Sequence, residues 1–318
     1  MCIRDSTVTP YGFSNAAGTG NSTHGYAAGG NGYNSYVWRI DYTNDTANGV
    51  QKGPLSQGRL RFSAASPLEN GLPSKLPGPV DKGADGYTTT PSGPAMGYVL
   101  GGAFPYSFST VDRVDYSNDT ATASVKGPLS AGTSYHAAVS SKDYGYSMGG
   151  KTPSNSHSTK VDRVDYGNDT ATATPKGALN IGAYRCYAGV GNKDYGYHPG
   201  GDSTQGTPFS THIQRIEYAS DTSTATPKGN LAAARYLHSG TGNLSYGYAA
   251  IGGSSPFQNN SVVQRIEYSN DTATASTKGP LTTTGNYRTA TGNSNFGYFA
   301  GGQGPSMNLR STIDRIDY

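Results

Sequence analysis

The feature that most constrains this chain is a six-residue segment that recurs at an almost constant interval. VDRVDY occurs twice and close variants occur four times, with the first residue at Val37, Val111, Val161, Ile213, Val263 and Ile313. The arginines of the six copies are separated by 74, 50, 52, 50 and 50 residues, and a Gly-Gly doublet recurs in step with them. A period of about 50 residues predicts a repeat fold in which each repeat is one supersecondary unit.

The composition and the turns indicate that each repeat is made of strands. The chain has 45 glycines and 25 tyrosines, and only 14% of its residues are charged. Glycine opposes helix, whereas tyrosine and threonine favour strands. In the third repeat we predict strands over 134–140, 144–148, 158–166 and 170–176, with a tight turn at Asn168-Asp169-Thr170. The sequence therefore predicts an all-β propeller of about six four-stranded blades.

The repeat resembles a known family. A hydrophobic strand that ends in a Gly-Gly doublet, followed by a strand with a hydrophobic-acidic pattern before a turn, resembles the kelch repeat over residues 11–318. The tryptophan of the fourth kelch strand is replaced by threonine or alanine, and the one tryptophan is Trp38. The chain is also similar to polar kelch-like repeat proteins of marine bacteria and their viruses. That likeness implies an extracellular, cell-surface or virion location.

The two ends and one insertion depart from the repeat. Residues 1–6, MCIRDS, resemble translated adapter sequence from metagenomic sequencing, so we expect them to be non-native and the propeller to cover 7–318. Two interpretations fit the incomplete sixth repeat: a strand near Thr7–Pro10 completes the last blade, or a longer array is truncated at both ends. A Pro/Gly-rich insert at about 67–96 is predicted to be a surface loop between the first two strands of the second repeat.

Each recurring arginine is followed two residues later by an acid. Period two places the two side chains on one face of a strand, and a partly buried arginine needs a charged partner. We therefore predict structural ion pairs, with an anion-binding ring of arginines as the alternative. The pairs are Arg39 and Asp41, Arg113 and Asp115, Arg163 and Asp165, Arg215 and Glu217, Arg265 and Glu267, and Arg315 and Asp317. The lysines that end each fourth strand are predicted to be exposed.

The loops that follow the Gly-Gly doublets differ between repeats, while the surrounding sequence stays nearly constant. Variable loops on a rigid frame are where binding usually occurs, although loops also vary when nothing constrains them. We predict that these loops share one face of the ring and bind a glycan or a protein. The candidate residues are Tyr33, Phe104, Tyr106, Phe108, His157, Phe209, Phe257, Asn259, Asn260 and Met307.

Other functions have little support in the sequence. A net charge of +3 without a basic stripe argues against nucleic acid, and no apolar run is long enough to insert in a membrane. Neither the two cysteines nor the six histidines have a metal-ligand spacing, so we predict no metal and no cofactor. No nucleophile, base and orienting group stand together, which favours a non-enzymatic recognition or structural role. The alternative is a carbohydrate-active oxidase, hydrolase or lyase, which a pair of carboxylates in one cleft would support.

Overall fold

The computed structural model describes residues 3–8, 11–67, 95–103, 105–152, 154, 156–203, 209–254 and 258–318, with only the backbone of 3–8, 254 and 258. Six antiparallel four-stranded sheets form the blades, so the predicted all-β propeller is confirmed. The predicted insert lies outside the described residues, apart from its first and last positions. Phe104 and Phe257 are outside them as well.

In blades 1 to 5 the four strands follow one another in sequence from the innermost to the outermost. Blade 1 contains β2 (Ala17–Gly20), β3 (His24–Ala28), β4 (Val37–Asp41) and β5 (Val50–Lys52). Blade 2 contains β6 (Ser63–Ala65), β7 (Met96–Leu100), β8 (Val111–Asp115) and β9 (Ser124–Lys126). Blade 3 contains β10 (Ala137–Ser140), β11 (Tyr144–Met148), β12 (Val161–Asp165) and β13 (Thr174–Pro175).

The second half of the chain repeats this arrangement. Blade 4 contains β15 (Val190–Gly191), β16 (Tyr195–Pro199), β18 (His212–Glu217) and β19 (Thr226–Asn230), beside a short pair of β14 (Ala183–Tyr184) and β17 (Asp202–Ser203). Blade 5 contains β20 (Ser239–Gly242), β21 (Tyr246–Ser254), β22 (Gln258–Glu267) and β23 (Ser276–Gly285). Blade 6 contains β24 (Thr289–Gly292), β25 (Phe296–Ala300), β26 (Thr312–Asp317) and β1 (Ile3–Val8).

The strand limits predicted for the third repeat are right for β11 and too wide elsewhere. The predicted strand 158–166 is β12, which ends at Asp165 because Tyr166–Asn168 forms a single 3-10 turn. The Asp165 carboxylate accepts a hydrogen bond from the Gly167 N–H and so caps this turn. Turn and bend residues continue through 169–171, which leaves only Thr174–Pro175 of the predicted fourth strand in β13.

The ring is closed by the N-terminal strand. β1 pairs antiparallel with β26, with Ile3 opposite Ile316 and Val8 opposite Thr312. The interpretation in which an N-terminal strand completes the last blade is therefore confirmed. Residues 3–6, which were expected to lie outside the propeller, belong to this strand. Their non-native origin stays a prediction.

Neighbouring blades are joined by stacked tyrosines and apolar clusters. In each of the six interfaces a tyrosine of a second strand stacks on the tyrosine that follows the third strand of the next blade, with ring centroids 4.7 to 5.1 Å apart. Between blades 6 and 1, Tyr298 stacks on Tyr42 in a cluster that also buries Trp38. Each aromatic pair contributes about 0.5–1.5 kcal/mol beyond the area that it buries.

The Gly-Gly doublets allow the second strands to end against the next blade. Gly149 and Gly150 have φ angles of +70° and +94°, a conformation that side chains strongly disfavour. The Gly150 N–H donates to the Ala183 carbonyl at 2.8 Å, and a Cβ atom on Gly150 would lie 2.6 Å from Thr133 Oγ1. Positive φ and close contact thus both give the doublets a structural role.

Candidate functional site

The recurring arginines make ion pairs between blades. Each of five arginines contacts the aspartate of the Asn-Asp-Thr or Ser-Asp-Thr turn in the next blade at 2.5 to 2.8 Å, and a tyrosine hydroxyl donates to the same carboxylate oxygen at 2.9 to 3.1 Å. We call each such group an inter-blade latch. The five are Tyr26/Arg39/Asp119, Tyr98/Arg113/Asp169, Tyr146/Arg163/Asp221, Tyr197/Arg215/Asp271 and Tyr298/Arg315/Asp45.

The partners differ from those predicted two residues away on the same strand. Arg315 alone contacts both its predicted partner, Asp317, and a turn aspartate, Asp45. The other predicted acids stand where the chain turns: Asp41, Asp115 and Asp165 cap the following turn, Glu267 accepts from Ser269, and Glu217 is exposed. Arg265 lies over the Tyr246 ring at 4.2 Å. The five latch arginines reach across the interface to the next blade. A pattern within one strand could not indicate a partner in another blade.

The lysines that were predicted to be exposed belong to the same latches. Lys52, Lys126, Lys176 and Lys228 contact the second carboxylate oxygen of the turn aspartate at 3.1 to 3.3 Å. Burial raises the pKa of Asp169, but hydrogen bonds from Tyr98 and Lys126 and the charge of Arg113 outweigh it and lower that pKa. The latch is therefore an ionised group at neutral pH, and its role is to hold blades together.

A second ring of residues lies at the propeller axis, two residues before the innermost strand in five blades and directly after β14 in blade 4. These residues all have positive φ between 55° and 64°, and each of five backbone N–H groups donates to the carbonyl of the ring residue in the preceding blade. We call them the axial ring: Asn15, Arg61, Tyr135, Arg185, Leu237 and Tyr287. Non-glycine residues rarely adopt this conformation, and such strain is concentrated at binding sites and active sites.

Side chains of the axial ring gather aromatic and charged groups around them. The Arg61 guanidinium lies 4.8 Å from the centroid of the Tyr135 ring, and the Arg185 guanidinium lies 4.8 Å from that of Tyr184. Tyr187 links the group together, with its ring centroid 6.1 Å from Tyr135 and 6.5 Å from Tyr287. Arg61, Tyr184, Arg185, Tyr187 and Tyr287 are half-buried, so this layer meets solvent.

Two of the loop residues predicted to bind complete this group. The His157 ring meets the Tyr184 ring edge to face at 4.6 Å, and Phe209 stacks on Tyr236 at 4.2 Å. We call the whole group the axial cluster, and with Asp202 it comprises Arg61, Tyr135, His157, Tyr184, Arg185, Tyr187, Asp202, Phe209, Tyr236 and Tyr287. It combines flat apolar faces with two arginines and one carboxylate.

Asp202 is the titratable group of the axial cluster whose environment is most unusual. Burial raises its pKa to about 6, even though the charge of Arg185 and a hydrogen bond from Tyr184 act in the opposite direction. One carboxylate oxygen contacts Arg185 at 3.1 Å, and the other is buried with no hydrogen-bond partner among the described residues. The Tyr187 hydroxyl is also buried and has no hydrogen-bond partner among the described residues. Buried polar atoms of this kind are available to a ligand.

The other predicted binding residues differ in their exposure and in their hydrogen bonds. Tyr33, Tyr106 and Met307 are exposed by 45%, 79% and 80%, and Phe108 is half-buried. The side chain of Asn259 accepts from Asn286, while that of Asn260 accepts from the Val262 N–H. Phe209, another of the predicted loop residues, is buried. That these residues bind a ligand stays a prediction.

Most of the axial cluster was missed because it precedes the first strand of each blade. Sequence reasoning concentrated on the loops after the Gly-Gly doublets and left the blade connections out. The available signal was one position whose residue type changes from each repeat to the next: Asn15, Arg61, Tyr135, Arg185, Leu237 and Tyr287.

Three of the six histidines and the internal cysteine are buried packing groups. His136, His198 and His238 are fully buried, and burial lowers their pKa values to about 3, 4 and 3. Burial also raises the pKa of the Cys186 thiol to about 12. Within the part of the chain that the structure describes, no group of three His, Cys, Asp or Glu side chains could hold a metal ion. The same part contains no helix with the length and apolar character needed to span a membrane.

Comparison with known proteins supports the fold. No protein-family model matches the sequence, and no curated protein matches it. Solved structures do match, among them one described as "Structure of YjhT", with a TM-score of 0.74 and 11% sequence identity over 96% of this chain and 95% of that one. At this identity the similarity shows a shared propeller fold. Membership of the kelch family stays a prediction.

Proposed function

We propose that the protein is a recognition module that binds a glycan at the axial cluster. The observation that carries the proposal is the convergence of aromatic rings and two arginines from different blades on strained backbone positions at one end of the axis. Aromatic faces stack on sugar rings, and arginines and carboxylates donate to and accept from sugar hydroxyls. A surface or virion location, implied by the resemblance, is part of the same proposal.

The graded burial of the axial cluster supports binding by a preformed site. Tyr135, Phe209 and Tyr236 are buried, whereas Tyr184 and Tyr287 of the same cluster are half-buried. Ligand sites usually combine apolar side chains with a few fixed polar groups. The Arg185–Asp202 pair supplies those groups with its geometry already set.

A glycan array followed by calorimetry with the strongest glycan tests the proposal. We expect Arg61→Ala and Tyr184→Ala to weaken binding by about 10-fold or more, because truncating a central aromatic or arginine costs at least about 1–2 kcal/mol. Leu244→Ser, at an exposed position in the opposite loop between β20 and β21, is the matched control and should bind normally. Absence of any glycan hit, or equal binding by all three variants, would contradict the proposal.

A carbohydrate-active enzyme is the second candidate, and Asp202 is the observation that favours it. A carboxylic acid with a pKa of about 6 has the value that a general acid needs near neutral pH. Most glycosidases use two carboxyl groups, and the described residues of the axial cluster contribute Asp202 alone. Mass spectrometry of the bound glycan after incubation separates the candidates: an altered product that Asp202→Asn no longer forms would establish the enzyme.

A further inference from the structure

Four side-chain hydroxyls in the central channel have no hydrogen-bond partner among the described residues. They belong to Ser63, Tyr187, Ser239 and Thr289, and the hydroxyl oxygen of each is buried. The two serines and the threonine are themselves at least 95% buried. A buried hydroxyl without a partner is unfavourable, so four of them in one channel require a physical reason.

The scaffold itself does not require these hydroxyls. Each of the four stands two residues after the axial ring residue of its blade. In blades 1 and 3 the same position holds Ala17 and Ala137, which are buried at the start of their innermost strands. Since alanine satisfies the fold at this position, the hydroxyls of the other four blades are available to a ligand.

The four hydroxyl residues line one cavity of about 90 Å³ in the channel. Tyr187 also belongs to the axial cluster, so the cavity continues inward from that cluster. Liquid water occupies about 30 Å³ per molecule, so the cavity has room for a group of roughly three non-hydrogen atoms. A whole sugar ring is too large for this space, whereas a substituent on a sugar ring fits.

The face of the propeller around the axial cluster is basic. It is built by the connections that end at the axial ring and by the loops after the Gly-Gly doublets, which isolated β-bridges join to each other. The connections are 53–61, 127–135, 177–185, 229–237 and 279–287, and the loops are 31–36, 103–110, 151–160, 202–212, 254–262 and 303–312. Together these segments contain seven lysines and arginines but only one acid, Asp202.

Most of these cations have no acid of their own. Arg59 pairs with the buried Asp112 and Lys160 with the buried Asp162, while Arg185 contacts Asp202. The cations that form no ion pair with a described residue are Arg61, Lys151, Arg235 and Arg310. An excess of positive charge on one face attracts negatively charged ligands to it.

We propose that the glycan bound at the axial cluster is acidic and that the carboxylate of one sugar enters the cavity between the four hydroxyls. An ionised carboxylate accepts about four hydrogen bonds and donates none, which matches four hydroxyls that all lack a partner. The hydroxymethyl group of a neutral sugar has a single oxygen and would leave most of them unpaired. This inference rests on the proposed function, because the axial cluster holds the sugar ring that carries the carboxylate.

The first experiment compares two methyl glycosides that differ at one carbon. Methyl β-D-glucuronoside has a carboxylate where methyl β-D-glucoside has a hydroxymethyl group. NMR titration of the whole chain should show that the glucuronoside binds about 10-fold or more tightly, with chemical-shift changes at Tyr187 and Ser239. Equal affinities, or no binding of the glucuronoside, would overturn the inference. A glycan array that returns only neutral glycans would also overturn it, while leaving the proposed glycan recognition intact.

Removing the hydroxyls tests the cavity itself. Ser239→Ala and Thr289→Val should each reduce the preference for the glucuronoside over the glucoside by about 5-fold or more, without lowering the melting temperature. The matched control is Thr241→Val in the same strand as Ser239. Its hydroxyl shares a hydrogen bond with the Tyr318 hydroxyl and donates to the Thr291 carbonyl, so this variant should melt lower and keep the preference. An unchanged preference in both cavity variants, or a loss of stability equal to that of the control, would contradict the proposal.

Discussion

The inter-blade latches and the axial ring are two rings built on the same repeat, and their sequences behave in opposite ways. Every latch uses the same tyrosine, arginine and aspartate, because the side chains themselves join the blades. The axial ring uses four different residue types on one backbone conformation, because its hydrogen bonds run through the backbone. Residue types are thus constant where side chains join the blades. They vary where backbone hydrogen bonds join the blades. The difference shows that the latches stabilise the contacts between blades, and it supports the proposal that ligand specificity lies at the axis.

Acidification is expected to have the largest effect on stability. It protonates three buried histidines close to the axial ring. His136 and His238 follow ring residues, His198 is buried nearby, and all three have folded pKa values well below 6.5. The unfolded chain therefore binds more protons, so their stabilising contribution is complete above pH 6.5 and is lost as the pH falls towards 3. Each histidine should lower the free energy of unfolding by about 1.4 kcal/mol per pH unit below 6.5.

Melting temperatures between pH 7 and pH 4 test this expectation. His198→Gln removes one titrating group, so its melting temperature should depend less steeply on pH than that of the original chain. A pH profile that this variant leaves unchanged would show that other groups control acid unfolding.

Removing a latch carboxylate should have the next largest effect. Asp169→Ala leaves Tyr98, Arg113 and Lys126 without their shared acceptor in the interface of blades 2 and 3. Breaking a buried ion pair from one side costs about 3–5 kcal/mol. Asp165→Ala, which removes only the cap of a turn, should cost about 1 kcal/mol. Equal stability of the two variants in urea denaturation would contradict the prediction, because the turn aspartate and the strand aspartate would then contribute equally.

Asp202 should show the opposite pH dependence from the histidines. Its folded pKa of about 6 lies above the ordinary value of 3.8, so its favourable contribution is complete below pH 3.8 and is lost as the pH rises through 6. Relative to the original chain, Asp202→Asn should therefore gain about 2–3 kcal/mol between pH 4 and pH 7. Asp194→Asn, at an exposed carboxylate, serves as the control for the substitution itself. A constant difference for Asp202→Asn would mean that Asp202 stays ionised in the fold.

The smallest effect is expected for the exposed loop residues. Tyr106→Ser and Met307→Ser should each change stability by less than about 0.5 kcal/mol, since both side chains lie mostly in solvent. Tyr135→Ser, in the axial ring, should cost about 3 kcal/mol or more because its ring is buried against neighbouring aromatics. If thermal denaturation shows that Tyr106→Ser lowers the melting temperature as much as Tyr135→Ser does, the loops belong to the core.

The sequence predicted the fold because the fold depends on a period and on turn chemistry, both of which are local. β11 was placed residue for residue, and closure by an N-terminal strand was among the stated interpretations. The latches were mispaired because Arg163 and Asp165 are close in the chain, whereas Arg163 and Asp221 are brought together only by adjacent blades. The recurring spacing of six residues between each arginine and the next turn aspartate shows that both belong to one repeating unit, without saying that they pair across units.

The candidate site was predicted in part. His157 and Phe209 lie on the expected loops and join the axial cluster. Arg61, Tyr135 and Arg185 were missed, because one residue before a short strand has no periodicity that marks it. Only the ring of backbone hydrogen bonds shows that these positions meet at the axis.

Trp38 gives this molecule a built-in optical reporter. One indole stands among 25 tyrosines, with the phenol rings of Tyr11 and Tyr36 each 6.5 Å from it. Excited tyrosines at such separations transfer energy to the indole, so its emission dominates the ultraviolet fluorescence of the whole chain. Because Trp38 is buried between the first and last blades, a red shift of that emission registers separation at this seam before circular dichroism detects loss of strands.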